Sequence, residues 1–129
     1  MTDETRRRIV RTGEAELGPY DMEGPVQPDM AALYLSYDKA TAEGCYLMRM
    51  DPGAVTIPHD HAGFEDFLVL DGALVDSDGT VFRAGDAVSY APGTHHNSWT
   101  TTGCTLIGFD WRPRPPSPRG GGCRPPPRG

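Results

Sequence analysis

The 129-residue chain predicts an all-β domain, either an antiparallel sandwich or a small barrel. Three observations point there. Apolar residues come in short runs of about strand length, several with a period of two; turn signals built on Gly, Pro, Asn and Asp separate them at short spacing; and no stretch shows a helical period. The size and a 37% hydrophobic content suit one modest core, and no apolar run approaches the length of a membrane span.

Residues 1–29 read as an extended arm. Arg6, Arg7, Arg8 and Arg11 form a solvated basic cluster, Ile9 and Val10 are candidates for a short strand, and Gly13 to Asp29 are too rich in Gly, Pro and acids for a helix. The arm is expected to wrap the outside of the domain. The domain proper spans 30–112. Residues 32–38 form its first strand, 39–44 a polar connection closing on Gly44, and 45–50 the return strand. In that strand Tyr46, Met48 and Met50 share one face and Cys45, Leu47 and Arg49 the other, with the cavity-facing side left open. Between Asp66 and Phe82 the pattern is strand, turn, strand, turn, strand, with Asp71-Gly72 and Asp78-Gly79 as hairpin signals. Gly85-Asp86 opens a further turn, and residues 104–111 form a last buried strand.

After Trp111 the composition changes. Residues 113–129 hold seven prolines, four glycines and, apart from Cys123, nothing that could pack, so a disordered tail is expected. The P-x-x-P matches at Pro113/Pro116 and Pro115/Pro118 are what such low complexity yields without a docking role.

Charge excludes a function class. Net charge is −6, and residues 12–111 hold every acidic residue except Asp3 and Glu4 while offering only Lys39, Arg49 and Arg83 as cations. Such a surface repels nucleic acid. Cys45, Cys104 and Cys123 lack paired spacing, and no charged-then-apolar leader opens the sequence, so a cytoplasmic, disulfide-free protein without membrane association is expected. Cys45 and Cys104 read as small buried hydrophobes.

The chemistry concentrates in Gly53 to Gly72. On a strand His59 and His61 point one way and Asp60 the other; after the turn at Ala62-Gly63, Glu65 faces the same space as Phe67 and Val69. Two imidazoles and a carboxylate within seven residues are a metal-ligand pattern. The remaining histidines, His95 and His96, are adjacent, so one of them is the fourth ligand. Phe64, Phe67 and Trp99, with Met48, are candidates for an apolar wall beside the ion, or for plain core. Asp66 should face outward, solvated or at a subunit contact.

These segments resemble the cupins. Gly53, five residues, His59 and His61 about one residue, three residues, Glu65, six residues and Gly72 match the first cupin motif. Gly85, Pro92-Gly93 and His96 resemble the second, with two departures: Pro92 adjoins Gly93, and Thr100 stands where the family has Asn. The resemblance implies a double-stranded β-helix and a metal held by His59, His61, Glu65 and His96, with His95 pointing away. Glu65 and His61 are then the candidate catalytic residues. Three neutral imidazoles and one carboxylate accept Fe(II) or Zn foremost, and Mn, Ni or Cu. Within the cupins the chain resembles the small group containing the zinc-binding domain of anti-sigma factors and the acetylacetone-cleaving dioxygenases. This implies a small-molecule ligand, a homodimer, and either an oxygenase acting on a β-dicarbonyl or hydroxyaryl ketone, or a non-catalytic zinc-binding sensor module. A complete anti-sigma factor would need a helical sigma-binding domain, which the first thirty residues do not resemble.

Overall fold

The computed structural model describes residues 6–22 and 24–114. Ten strands follow in chain order: β1 (Gly18–Pro19), β2 (Met30–Tyr34), β3 (Gly44–Met50), β4 (His59–Asp60), β5 (Phe64–Asp76), β6 (Val81–Arg83), β7 (Ala87–Tyr90), β8 (His95–His96), β9 (Ser98–Trp99) and β10 (Cys104–Trp111). Every pairing between them is antiparallel. Among the described residues there is no α-helix. The main sheet runs β1-β2-β3-β10-β5-β6, with β7 and β9 also on β5, and β4 pairs β8 separately. This is the double-stranded β-helix.

β5 is the spine of the fold. Its first half lies between β10 and β7, and its second half pairs β6 and β9. The hairpin expected at Asp71-Gly72 is therefore not formed; the strand runs straight through. Opposite the Thr105/Leu106 step the β5–β10 register shifts past Leu70, a bulge between the half of β5 that pairs β10 and β7 and the half that pairs β6 and β9. Gly72 permits this, with φ of 74° and the Gly103 carbonyl so close that a Cβ would stand 2.0 Å from its oxygen. Asp78-Gly79 does make its turn: Gly79 N–H bonds Asp76 O and Asp76 N–H bonds Thr80 O.

The first strand spans Met30–Tyr34 rather than 32–38, because the N–H groups of Leu35 and Tyr37 both turn onto the Cys45 carbonyl. Ile9 and Val10 form no strand; Gly18-Pro19 pairs instead with Ala31-Ala32 at the edge of the sheet. In β3 the inward face is the one bearing Tyr46, Met48 and Met50, which join Val69, Leu74 and Leu106 in the core. Leu47, on the opposite face, is buried all the same, beside Leu17 of the arm. Cys104 is buried and Cys45, on the outer face, only half-buried; both thiols are free. The expected disordered segment falls, from residue 115 onward, outside the described residues. No described helix is long and apolar enough to cross a membrane.

Candidate metal centre

Three strands bring the four candidate ligands together. β4 and β8 pair His59 with His96 directly, and beyond β4 the ladder continues through His61 N–H to Thr94 O and Gly93 N–H to His61 O. Glu65 arrives from the start of β5. One ligand atom from each of His59, His61, Glu65 and His96 lies within 4.8 Å of all the others.

The ring orientations follow from hydrogen bonding. His59 Nδ1 lies 2.7 Å from the Ile57 carbonyl, which can only accept, so that nitrogen carries the proton. His96 Nδ1 lies 2.9 Å from the Asp76 carboxylate and donates for the same reason. His61 Nδ1 lies 2.7 Å from Thr94 Oγ1, whose own proton is given to Ala91 O, so here too the imidazole donates. All three Nε2 atoms therefore turn lone pairs toward one point. His61 Nε2 stands 3.1 Å from the Nε2 of both His59 and His96. Glu65 Oε1 is 3.5 Å from the first of these nitrogens' shared partner, His61 Nε2, and 3.9 Å from His96 Nε2.

Facing lone pairs repel unless a cation lies between them, and ligands about 2.1 Å from one ion stand roughly 3.0–3.4 Å apart when adjacent. The donor set thus fits a divalent metal. Burial, reinforced by the neighbouring His59 and His96 rings, pushes the His61 imidazole down to about 4, which keeps it in the neutral, ligating form at ordinary pH. Burial alone would raise Asp76, but hydrogen bonds from Tyr90, His96 and the Ser77 N–H outweigh it and hold the carboxyl below its usual value. Tyr90 donates to Asp76 at 2.5 Å and packs its ring 4.2 Å from that of His96, so one side chain fixes both partners.

Asp76, Thr94 and Tyr90 were not singled out from sequence. For Asp76 a signal existed, since it follows Leu74 at the inward-facing period of β5 and an inward carboxylate needs a buried donor. The turn signal beginning beside it masked that reading.

Two cavities border the cluster. An inner one of about 30 Å³ is lined by His59, Glu65 and His96 together with Met48 and Phe67. An outer one of about 130 Å³ is lined by His61 and Glu65 with Tyr37, Phe64, Asp110 and Trp111. Trp99 reaches neither. In β9 the buried inward position belongs to Ser98, so Trp99 faces the other way, opposite Val75 and Val55. Phe64 stacks on Trp111 with ring centroids 4.4 Å apart. His95 is exposed and paired with Asp60 at 2.6 Å. Asp66 accepts a hydrogen bond from Trp111 Nε1 at 2.8 Å and another from Ser89.

A family profile of the ChrR cupin-like domain matches residues 9–112. The chain belongs to this family. Among solved structures, this cupin is similar to an RmlC-like cupin from Ralstonia eutropha (17% identity, TM-score 0.67, covering 80% of this chain and 67% of that one). It is also similar to an acetylacetone dioxygenase from Acinetobacter johnsonii (14% identity, TM-score 0.66, covering 80% and 73%). A third match is to the complex of Rhodobacter sphaeroides SigE with the anti-sigma ChrR (20% identity, TM-score 0.60, covering 78% of this cupin). There it spans only 51% of the other chain. No curated protein matches the sequence. At these identities the structural likeness shows the shared fold.

Proposed function

We propose that this cupin is a metal-dependent oxygenase acting on a small oxygenated molecule of β-dicarbonyl or hydroxyaryl ketone type, with one divalent ion held by His59, His61, Glu65 and His96. The observation that carries the reading is the outer cavity reaching His61 and Glu65, which lets a small molecule meet the ion instead of sealing it in. A divalent ion there supplies Lewis acidity, and a redox-active one such as Fe(II) can also share electrons with dioxygen. The chain's own residues do the rest. Three imidazoles held as Nδ1–H tautomers keep the site neutral apart from Glu65, whose charge lowers that of the ion. Met48 and Phe67 on the inner side exclude bulk water. Likeness to an acetylacetone dioxygenase supports the reaction class at the level of fold.

The second reading is a zinc-binding sensor module, favoured by the family description and by the likeness to the anti-sigma complex. We place the protein in the cytoplasm, consistent with the free thiols of Cys45 and Cys104. We also propose a homodimer formed through the outer face of β5 and β10, where Leu68 and Phe109 are 36% and 48% exposed.

The test is anaerobic reconstitution with Fe(II), followed by oxygen uptake with small β-dicarbonyls and hydroxyaryl ketones. Uptake should depend on substrate and vanish in Glu65→Ala and His61→Ala. Stoichiometric zinc that resists exchange in cell-derived protein, with no uptake across the panel, establishes the sensor reading instead.

A further inference from the structure

We propose that residues 18–22 of the N-terminal arm form a strap that completes the site and sets how fast an ion or small ligand reaches the cluster. Tyr20 walls the inner cavity, Met22 walls the outer one, and Asp21 latches the segment in place. The control of access rests on the reading of the four-residue cluster as a metal centre; the latch does not.

The arm is expected only to wrap the outside of the domain, and β1 does pair at the edge of the sheet. That pairing is a weak anchor, since β1 is two residues long and Pro19 has no N–H to give the ladder. Immediately after it the side chains part. Tyr20 is buried in the core cluster and lines the inner cavity beside His59, Glu65 and His96. Met22 packs against the same core and lines the outer cavity with His61 and Glu65. One short segment therefore borders both spaces that flank the four candidate ligands.

Asp21, between them, lines neither cavity. Its carboxylate accepts a hydrogen bond from the Tyr34 hydroxyl and pairs with Lys39 Nζ at 2.7 Å. Lys39 and Tyr34 hold the carboxyl below its usual value, so the latch is charged at neutral pH. Tyr34 in turn packs its ring 5.0 Å from that of Tyr37, which lines the outer cavity with Met22. The latch thus ties the strap to another wall of the same cavity.

These contacts suit control of access better than support of the fold. The Lys39 and Asp21 side chains are 57% and 30% exposed, and an ion pair so placed adds little to global stability. Breaking the latch frees the strap without unfolding the barrel beneath it. A wall that touches no ion changes the barrier to passage equally in both directions and leaves the binding equilibrium where it was.

The test compares the full chain with Asp21→Ala, Asp21→Asn and Lys39→Met. Hydroxyl-radical footprinting read by mass spectrometry should find Tyr20 and Met22 labelled at least fivefold faster in Asp21→Ala, with the buried Met48 and Met50 unchanged. Co(II) uptake and its chelator-driven release should both accelerate several-fold, with affinity within twofold of the parent. Asp21→Asn, which keeps an acceptor for Tyr34, should recover part of the protection. Lys39→Met removes only an exposed partner; it should show a smaller effect of the same kind and stands in if Asp21→Ala does not fold. Unchanged labelling of Tyr20 and Met22 in these variants overturns the latch. Raised labelling with unchanged cobalt rates, or with release alone accelerated and affinity lost, overturns the control of access. If the parent chain binds no cobalt, the metal-centre reading fails and the control of access with it, while the footprinting still decides the latch.

Discussion

His96 donates its Nδ1–H to the buried carboxylate of Asp76 at 2.9 Å, and Tyr90 holds the other oxygen of the same carboxylate. The hydrogen bond decides which His96 nitrogen carries the lone pair, so a metal held by the cluster would depend on Asp76 without touching it. Asp76→Asn should weaken metal affinity about 10–100-fold, measured by competition with a chromogenic chelator. His95→Ala, altering only the exposed pair with Asp60, should leave affinity unchanged. An Asp76→Asn affinity within twofold of the parent would remove Asp76 from the centre.

Gly72 and Gly79 both adopt positive φ, 74° and 90°, but only the first is crowded. A Cβ at Gly79 meets nothing within 4 Å, so Gly79→Ala should cost about 1–2 kcal/mol from backbone strain alone. Gly72→Ala adds a clash with the Gly103 carbonyl and should cost at least about 3 kcal/mol. Urea denaturation of the two variants makes the comparison; equal losses would mean that the β5 bulge tolerates a side chain.

Burial pushes the Cys104 thiol up to about 11. Only the thiolate attacks iodoacetamide, so at pH 8 about one thousandth of Cys104 is reactive, and the fraction rises about tenfold per pH unit until the group titrates. Per-residue mass spectrometry should find Cys104 alkylated far more slowly in the native than in the urea-unfolded protein, and faster at pH 9 than at pH 8. Native labelling at the unfolded rate would show that the thiol is accessible after all.

Leu68 and Phe109 stand on the outer face of the neighbouring strands β5 and β10, where Leu70 is a further exposed apolar side chain. If this face joins two copies, light scattering at tens of micromolar should give twice the 14.0 kDa chain mass, and Phe109→Lys should shift it toward the monomer with metal content intact. A monomer mass for the parent protein would refute the pairing.

The sequence by itself determined the all-β class, the turn at Asp78-Gly79 and the convergence of His59, His61 and Glu65. Each of these is local: alternation along a strand fixes which side chains share a face within a few residues, and a two-residue turn carries its own backbone preference. His96 over His95 followed from motif resemblance, and the β4–β8 ladder places it opposite His59.

Only the tertiary structure decided what depends on register between distant strands. Asp71-Gly72 carries a hairpin signal, yet the positive φ of Gly72 serves a bulge set by the approach of Gly103. Trp99 looked like a pocket wall until the inward period of β9 fell on Ser98. Asp76 on His96, Thr94 on His61, and Asp110 beside Glu65 are contacts between residues whose local sequence predicts turns or plain strand. Their roles come from which strand lies beside which, a choice made by the packing of the whole barrel and not by any neighbour in the chain.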